Sequence, residues 1–283
     1  MNFIDLHTHS TCSDGTDSPE ELLNKAEKAG LTALALTDHD TVAGIPVFLE
    51  AAKAHPGIQA IPGVEISTLY ANREIHIVGL FPDHKNPELL DFLSDVQHKR
   101  RERNERMAEK LTDLGYDIDI ESLRERNGGQ IIGRPHFAAC LLKKYDFENF
   151  QDVFEKLLKR NAPAFIPRSL PSPFDAIDMI HHSGGLAVWA HPIYRKSGER
   201  SWCRKILKAL APAGLDAIEA YYTQFSERQT QTVKELAQEF GLALAGGSDY
   251  HGSHHPDIAL GTGYGELRVP ENILPELLKR KPA

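Results

Sequence analysis

Short apolar and β-branched runs recur along this chain, and nearly every one ends in histidine, aspartate or glutamate. They fall at 2–6, 33–37, 58–66, 74–80, 186–190, 216–220 and 242–247, alternating with amphipathic stretches of helical period. That alternation predicts a parallel sheet with helical crossovers, a fold that gathers its chemistry at the carboxyl ends of the strands. Helices are expected at 18–29, where Ser18 and Pro19 supply a cap and a first-turn residue, and at 226–240, which opens at Ser226 and stops before Gly241.

Residues 86–165 break the rhythm. A long charged helix, "NPELLDFLSDVQHKRRERNERMAEKLTDLG", leads into further helical pieces with no convincing strand until "APAFI". We read 86–165 as an inserted helical subdomain and 1–85 with 166–283 as the main domain. Seven strands with one insertion fit an imperfect α/β barrel better than an open doubly wound sheet, although periodicity does not separate the two.

Composition narrows the function by exclusion. A formal charge of −8 argues against a broad duplex-binding face, which needs a clustered lysine and arginine excess. An anionic substrate then needs local compensation, and three divalent ions would bring about six positive charges into one cleft. The three cysteines, Cys12, Cys140 and Cys203, form no CxxC pair, so we expect packing thiols, with neither a disulfide framework nor a thiolate zinc site. No apolar run approaches the roughly 20 residues that span a bilayer. The chain opens directly on the strand-like "NFIDLH", so no membrane partner and a cytoplasmic location are expected. Oligomeric state is not legible.

The histidines, 14 in all, carry the positive signal. In "DLHTHSTCSDG", His7 and His9 are two apart and project from one face of an extended chain, with Asp14 in the loop beyond. Alone, such a pair is most simply a pair of surface histidines. However, "ALALTDHDT" ends in Asp38, His39 and Asp40, and "IPGVEIS" sets Glu65 among apolar residues, where a carboxylate must be paired, protonated or metal-bound. "EIHIVGL" sets His76 in an otherwise apolar stretch, where alone it reads as a satisfied core histidine; "GGLAVWAHP" delivers His191, and "ALAGGSDYHG" delivers Asp249 and His251. Glu219, closing "LDAIEAY", either joins them or braces them from outside. Independent surface histidines have no reason to fall at strand ends. Imidazole nitrogens with carboxylate oxygens suit manganese, iron or zinc.

Taken together, "DLHTHSTCSDG", "ALTDHDT", "PGVEIS", "EIHIVG", "AHP" and "GSDYH" resemble the successive motifs of the polymerase and histidinol phosphatase (PHP) family, from residue 5 to residue 251. The resemblance implies a distorted (β/α)7 TIM-like barrel and two or three divalent metals, usually manganese, with iron or zinc as alternatives. Carried over residue by residue, it implies His7, His9, Glu65 and Asp249 around one metal. Glu65 would bridge to a second metal held by His76 and His191, while Asp14, His39 and His251 would hold the third. Glu65, Asp249 and His191 would be the catalytic members, and no ligand position is missing.

Clustered cations without thiolates suit phosphate ester hydrolysis, because they acidify a shared water and neutralise charge on the phosphoryl oxygens. "EISTLYANREIHIVGL", the arginine-rich helix, "GRPHFA" and "IHHSGGLAVWAHP" further resemble the stand-alone PHP phosphoesterases acting on nucleoside 3′,5′-bisphosphates, which also release 5′-nucleotides from short RNA. The resemblance implies that metal-activated hydroxide breaks the bond at the 3′ oxygen of a nucleotide keeping its 5′-phosphate. Arg100, Arg103 and Arg134 would grip that phosphate, with Asp40 and His136 as substrate contacts. The read-alone alternative for the arginine helix is a solvated face with internal salt bridges. "HPIYR" departs from the subgroup, which has glycine and arginine directly after the proline; Arg195 stands at a shifted position. Two other readings stay open: a histidinol phosphate phosphatase, which needs a pocket for a small amine, and a non-catalytic metal- or nucleotide-binding module.

Overall fold

Eight strands occur among the residues described by the computed structural model, which are 2–126, 132–193 and 199–281. They are β1 (Phe3–Asp5), β2 (Leu31–Leu36), β3 (Gln59–Tyr70), β4 (Arg73–Leu80), β5 (Leu186–Trp189), β6 (Ala217–Tyr222), β7 (Ala243–Gly247) and β8 (Val269–Pro270). The helices are α1 (Pro19–Lys28), α2 (Ile45–Ala51), α3 (Pro87–Asp113), α4 (Ile120–Arg126), α5 (Arg134–Lys144), α6 (Phe150–Val153), α7 (Pro173–His182), α8 (Glu199–Leu210), α9 (Glu227–Phe240) and α10 (Leu274–Leu278). Capping chemistry explains the two expected helices. Ser18 and Ser226 each accept the amide three residues on in a full capping box, and Gly241 ends α9 at φ 66°.

The sheet order is β7-β6-β5-β4-β3-β2-β1-β8. Beyond the ends of β1 and β7 the chain keeps pairing. The Leu6 amide donates to the Gly246 carbonyl at 3.1 Å, Asp249 to His7 at 2.9 Å and His9 to Tyr250 at 2.9 Å, so the sheet nearly closes into a barrel. This is the TIM-like α/β architecture implied by the motifs. One expectation needs correcting: β4 runs antiparallel to both β3 and β5. Only Ala71 and Asn72 separate β3 from β4, at φ 48° and 60°. Two residues with positive φ make a tight hairpin, whereas a parallel crossover needs a dozen or more. The run "APAFI" is likewise not a strand; Ala164 and Ile166 are buried in a helical core instead.

Strand periodicity sorts the side chains into two layers. Outward-facing Leu34, Leu36, Val64, Ile66, Ile77, Trp189 and Ile218 pack with the helices. Inward-facing Ala33, Ala35, Ile61, Val78, Leu80, Leu186, Val188, Ala217 and Ala245 fill the barrel, joined by Leu274 and Leu277 of α10.

The chain divides into two compact units, Met1–Leu93 with Pro171–Ala283, and Ser94–Leu170. The first boundary falls inside α3, later than residue 86, because Leu89 and Leu93 belong to the core of the barrel unit. The second unit has its own core around Met107, Leu111, Phe137, Leu141 and Leu158. All three cysteines are unbridged, and Cys203 is buried in the first core. Among the described residues no helix is long and apolar enough to cross a membrane.

Candidate metal centre

The same alternation that fills the barrel sets its titratable rim. Glu65 shares a face of β3 with Ile61, His76 a face of β4 with Val78, and Glu219 a face of β6 with Ala217; in each pair the apolar member lies in the interior cluster. His7 and His9 follow β1, His39 follows β2, His191 follows β5, and Asp249 with His251 follows β7. His76 reaches this end from mid-strand because β4 is reversed, which pairs it with Ser67, two residues beyond Glu65.

Glu65 is fully buried at the centre. Its Oε2 lies 3.3 Å from both His7 Nε2 and His9 Nε2, and 2.9 Å from His39 Nδ1. Its Oε1 lies 2.8 Å from His76 Nδ1 and 3.0 Å from His191 Nε2. Asp249 Oδ1 stands 3.1 Å from His9 Nε2 and 3.5 Å from His7 Nε2. Asp14 gathers His251 at 3.3 Å, His39 at 3.8 Å and His9 at 3.9 Å. All nine sequence-expected ligands therefore come together. Three groups bring their donor atoms within 4.8 Å of one another: His7, His9, Glu65 and Asp249; His9, Asp14, His39 and His251; and His39, Glu65 and His76.

Whether this cluster suits cations is decided by its own polar atoms. His7 Nε2, both ring nitrogens of His9, His39 Nδ1, Asp14 Oδ1 and Glu65 Oε2 are buried and make no hydrogen bond in the described protein. An unsatisfied buried polar atom costs about 1–3 kcal/mol, and here such atoms converge from the ends of β1 and β2, the loop that carries Asp14, and β3. Imidazole nitrogens and carboxylate oxygens, with no thiolate, fit first-row divalent ions. In the metal-free state the charges lean on each other. Burial drives the Glu65 carboxyl up, but His39, His7 and His76 outweigh it and hold it well below the carboxylate range. Burial lowers His9 and His76, yet Asp249 and Glu65 raise the first, and Glu65 and Glu74 the second, each to about 10.

Three residues at the rim adopt left-handed backbone: Asp40 at φ 53°, His191 at 31° and Asp249 at 54°. Such conformations cost of order 1–3 kcal/mol and persist where surrounding bonds impose them. Those bonds are visible. Glu219 Oε2 accepts the His191 amide at 2.6 Å, while its Oε1 lies 3.1 Å from His7 Nδ1. Asp5, fully buried, accepts the Ser248 amide and hydroxyl at 2.9 and 2.6 Å and the Gly261 amide at 2.8 Å. Asp38 accepts the Ser10 amide and the hydroxyls of Ser10 and Ser13, fixing the loop that carries Asp14. Gly247 is required by the tight seam between β1 and β7, since a Cβ there would lie 2.4 Å from His7 Cβ.

Asp40, expected as a substrate contact, is fully buried, and its carboxylate accepts the Ser67 amide at 2.8 Å. Arg100, Arg103, Arg134 and His136 belong to the second unit. Arg100, Arg103 and His136 are buried there, Arg134 begins α5, and His136 Nδ1 accepts the Gly133 amide at 3.0 Å. Arg195 lies outside the described residues. Sequence reasoning missed Tyr222, whose hydroxyl donates to Asp249 Oδ2 at 2.9 Å. Burial pushes its phenol far above the ordinary tyrosine range, with Asp249 and Glu219 adding to the effect. Strict alternation from Glu219 points Tyr221 inward, but an irregularity between Glu219 and Tyr221 shifts the register and brings Tyr222 round.

Comparison with known proteins accords with this geometry. Residues 5–170 match the PHP domain family. The 5′-3′ exoribonuclease Rnm of Escherichia coli (strain K12) is 37% identical over 248 residues, covering 87% of this chain and 84% of that protein. The 3′,5′-nucleoside bisphosphate phosphatase of Chromobacterium violaceum is 32% identical over 252 residues, covering 89% of this chain and 88% of that protein. A crystallised amidohydrolase from Chromobacterium violaceum, with bound sulfate and no metal, superposes with a TM-score of 0.85 at 31% identity, covering 99% of this chain and 98% of that one.

Proposed function

This chain belongs to the PHP domain family and is a metal-dependent phosphoesterase, and we propose that it removes the 3′-phosphate from nucleoside 3′,5′-bisphosphates and releases 5′-nucleotides from short single-stranded RNA. The two activities are one chemically, since both break the bond at the 3′ oxygen beside a 5′-phosphorylated nucleotide. The observation that carries the reading is the convergence of unpartnered imidazole and carboxylate atoms on Glu65. Relatives named for each activity, at 37% and 32% identity, support the substrate class.

In this reading His7, His9, Glu65 and Asp249 hold one cation. Glu65, His76 and His191 hold a second, and Asp14, His39 and His251 hold a third, with manganese as the working metal. When bound, such cations polarise the phosphoryl oxygens and lower the pKa of water. The protein's part is placement. Glu65, Asp249 and His191 are the catalytic members. Glu219 fixes the ring of His7 through Nδ1, so that Nε2 faces Glu65 and Asp249. Asp40 steadies Ser67, two residues from Glu65. The substrate's 5′-phosphate falls to Arg100, Arg103 and Arg134, with His136, since a guanidinium matches phosphate with two parallel hydrogen bonds. We place the enzyme in the cytoplasm and assign it no duplex substrate, in keeping with its charge of −8.

The test compares manganese-loaded enzyme on adenosine 3′,5′-bisphosphate, 5′-phosphorylated short RNA and histidinol phosphate. Phosphate release from the first and 5′-nucleotide release from the second are expected to dominate. Preference for histidinol phosphate, or inactivity toward all three at full metal occupancy, would overturn the reading.

A further inference from the structure

No ligand in the three donor groups comes from β6, yet two of its residues hold ligands delivered by other elements. Glu219 reaches His7 and His191, and three residues later Tyr222 reaches Asp249. The two oxygens of Asp249 have different surroundings. Oδ1 looks toward His9 Nε2 at 3.1 Å, His7 Nε2 at 3.5 Å and His251 Nδ1 at 3.6 Å. Oδ2 receives the Tyr222 hydroxyl at 2.9 Å. The donor is itself fixed. Tyr222 is 5% exposed, its ring lies 5.5 Å from that of His191, and Phe225 packs against it edge-on at 5.1 Å. Asp249 has need of a restraint, because its backbone sits in the left-handed region at φ 54°.

We propose that Tyr222 is a positioning residue, which ties down one carboxylate oxygen of Asp249 so that the other alone is offered to the cation group of His7, His9 and Glu65. This rests on the reading of that cluster as a divalent-cation site. Removing the hydroxyl frees the Asp249 carboxylate to rotate and present either oxygen, while the buried ring keeps its packing. The expected signature is a defect in cation affinity rather than in folding, of the 10–100-fold size typical when a residue behind a ligand is changed.

The experiment is calorimetric titration of metal-free wild type, Tyr222→Phe and Tyr221→Phe with Mn²⁺, together with thermal melting of each metal-free protein. Tyr222→Phe is expected to melt within a few degrees of wild type and bind the same number of ions. One class of site should weaken about tenfold or more, and kcat at limiting Mn²⁺ should fall and recover at excess Mn²⁺ with KM unchanged. Tyr221→Phe is expected to bind as wild type does. Wild-type affinity in Tyr222→Phe, or a loss of affinity equalled by Tyr221→Phe, would overturn the inference while leaving the metal reading intact. Failure of wild type to bind Mn²⁺ would overturn the metal reading itself.

Discussion

Glu65 has two oxygens and five imidazole nitrogens within 3.3 Å of them. No ordinary salt bridge is built this way, because one carboxylate cannot neutralise five imidazoles. Replacing Glu65 by Gln is expected to lower kcat by at least about a hundredfold, more than the loss expected for a residue behind a ligand, and to reduce the number of Mn²⁺ ions bound. Full manganese stoichiometry in Glu65→Gln would remove it from the centre. The metal-free protein carries protons where the cations must bind, since Asp249 and Glu65 raise His9, and Glu65 and Glu74 raise His76, each to about 10 despite burial. Cation binding must displace those protons, so apparent affinity is expected to rise with pH. Calorimetry at pH 7 in buffers of different ionisation enthalpy checks this, and heats independent of the buffer would contradict it. At this scale the sequence picked out the residues that gather around Glu65, and Glu219 beside them, but not every support. His7, His9 and Asp249 are legible because imidazole and carboxylate at a strand end have few other uses. Asp5 and Tyr222 are not, because a buried carboxylate and a phenol serve many structures, and the register shift that aims Tyr222 leaves no mark in composition.

Strands and seams carry the next set of consequences. Gly247 lies so close to His7 that a single methyl group must move the backbone just beyond β1. Gly247→Ala is expected to destabilise the protein by about 1–3 kcal/mol, the usual cost of overpacking, and to weaken Mn²⁺ binding with it. An unchanged melting midpoint would show that the seam yields freely. At the β3–β4 hairpin, Ala71 and Asn72 occupy positive-φ positions that Asn-Gly fills better. The double change Ala71→Asn with Asn72→Gly is expected to stabilise by about 1 kcal/mol; denaturant unfolding reads the sign, and destabilisation would argue against the turn described. The seven runs were legible because inward and outward residues alternate. The direction of 74–80 was not, since alternation is blind to strand polarity and only the two-residue connection reveals it. "APAFI" misled for a related reason: a short apolar run in a helical core looks the same as a strand.

On the scale of the whole molecule, stability should depend on cations and on one half-buried clasp remote from them. Ligands that bind only the folded state stabilise it, by about 2.7 kcal/mol per site at a hundredfold excess over Kd, so chelation is expected to lower the melting midpoint and Mn²⁺ to restore it. The clasp joins His181 on α7 to Asp216 before β6, at 2.8 Å, with the Ala187 amide on the same oxygen. The Asp216 hydrogen bond raises His181 above its ordinary value of 6.5. A raised histidine contributes its full stabilisation below pH 6.5 and loses it as pH climbs through the folded value. The gap in melting midpoint between wild type and His181→Asn, at saturating Mn²⁺, is therefore expected to be widest near pH 6 and to narrow toward pH 8.5; a gap that widens with pH would contradict the assignment. Anomalous scattering from crystals of the manganese-loaded protein tests the central claim most directly. Peaks are predicted among His7, His9, Glu65 and Asp249, beside His76 and His191, and among Asp14, His39 and His251. A fully loaded protein whose manganese lies elsewhere would contradict the account.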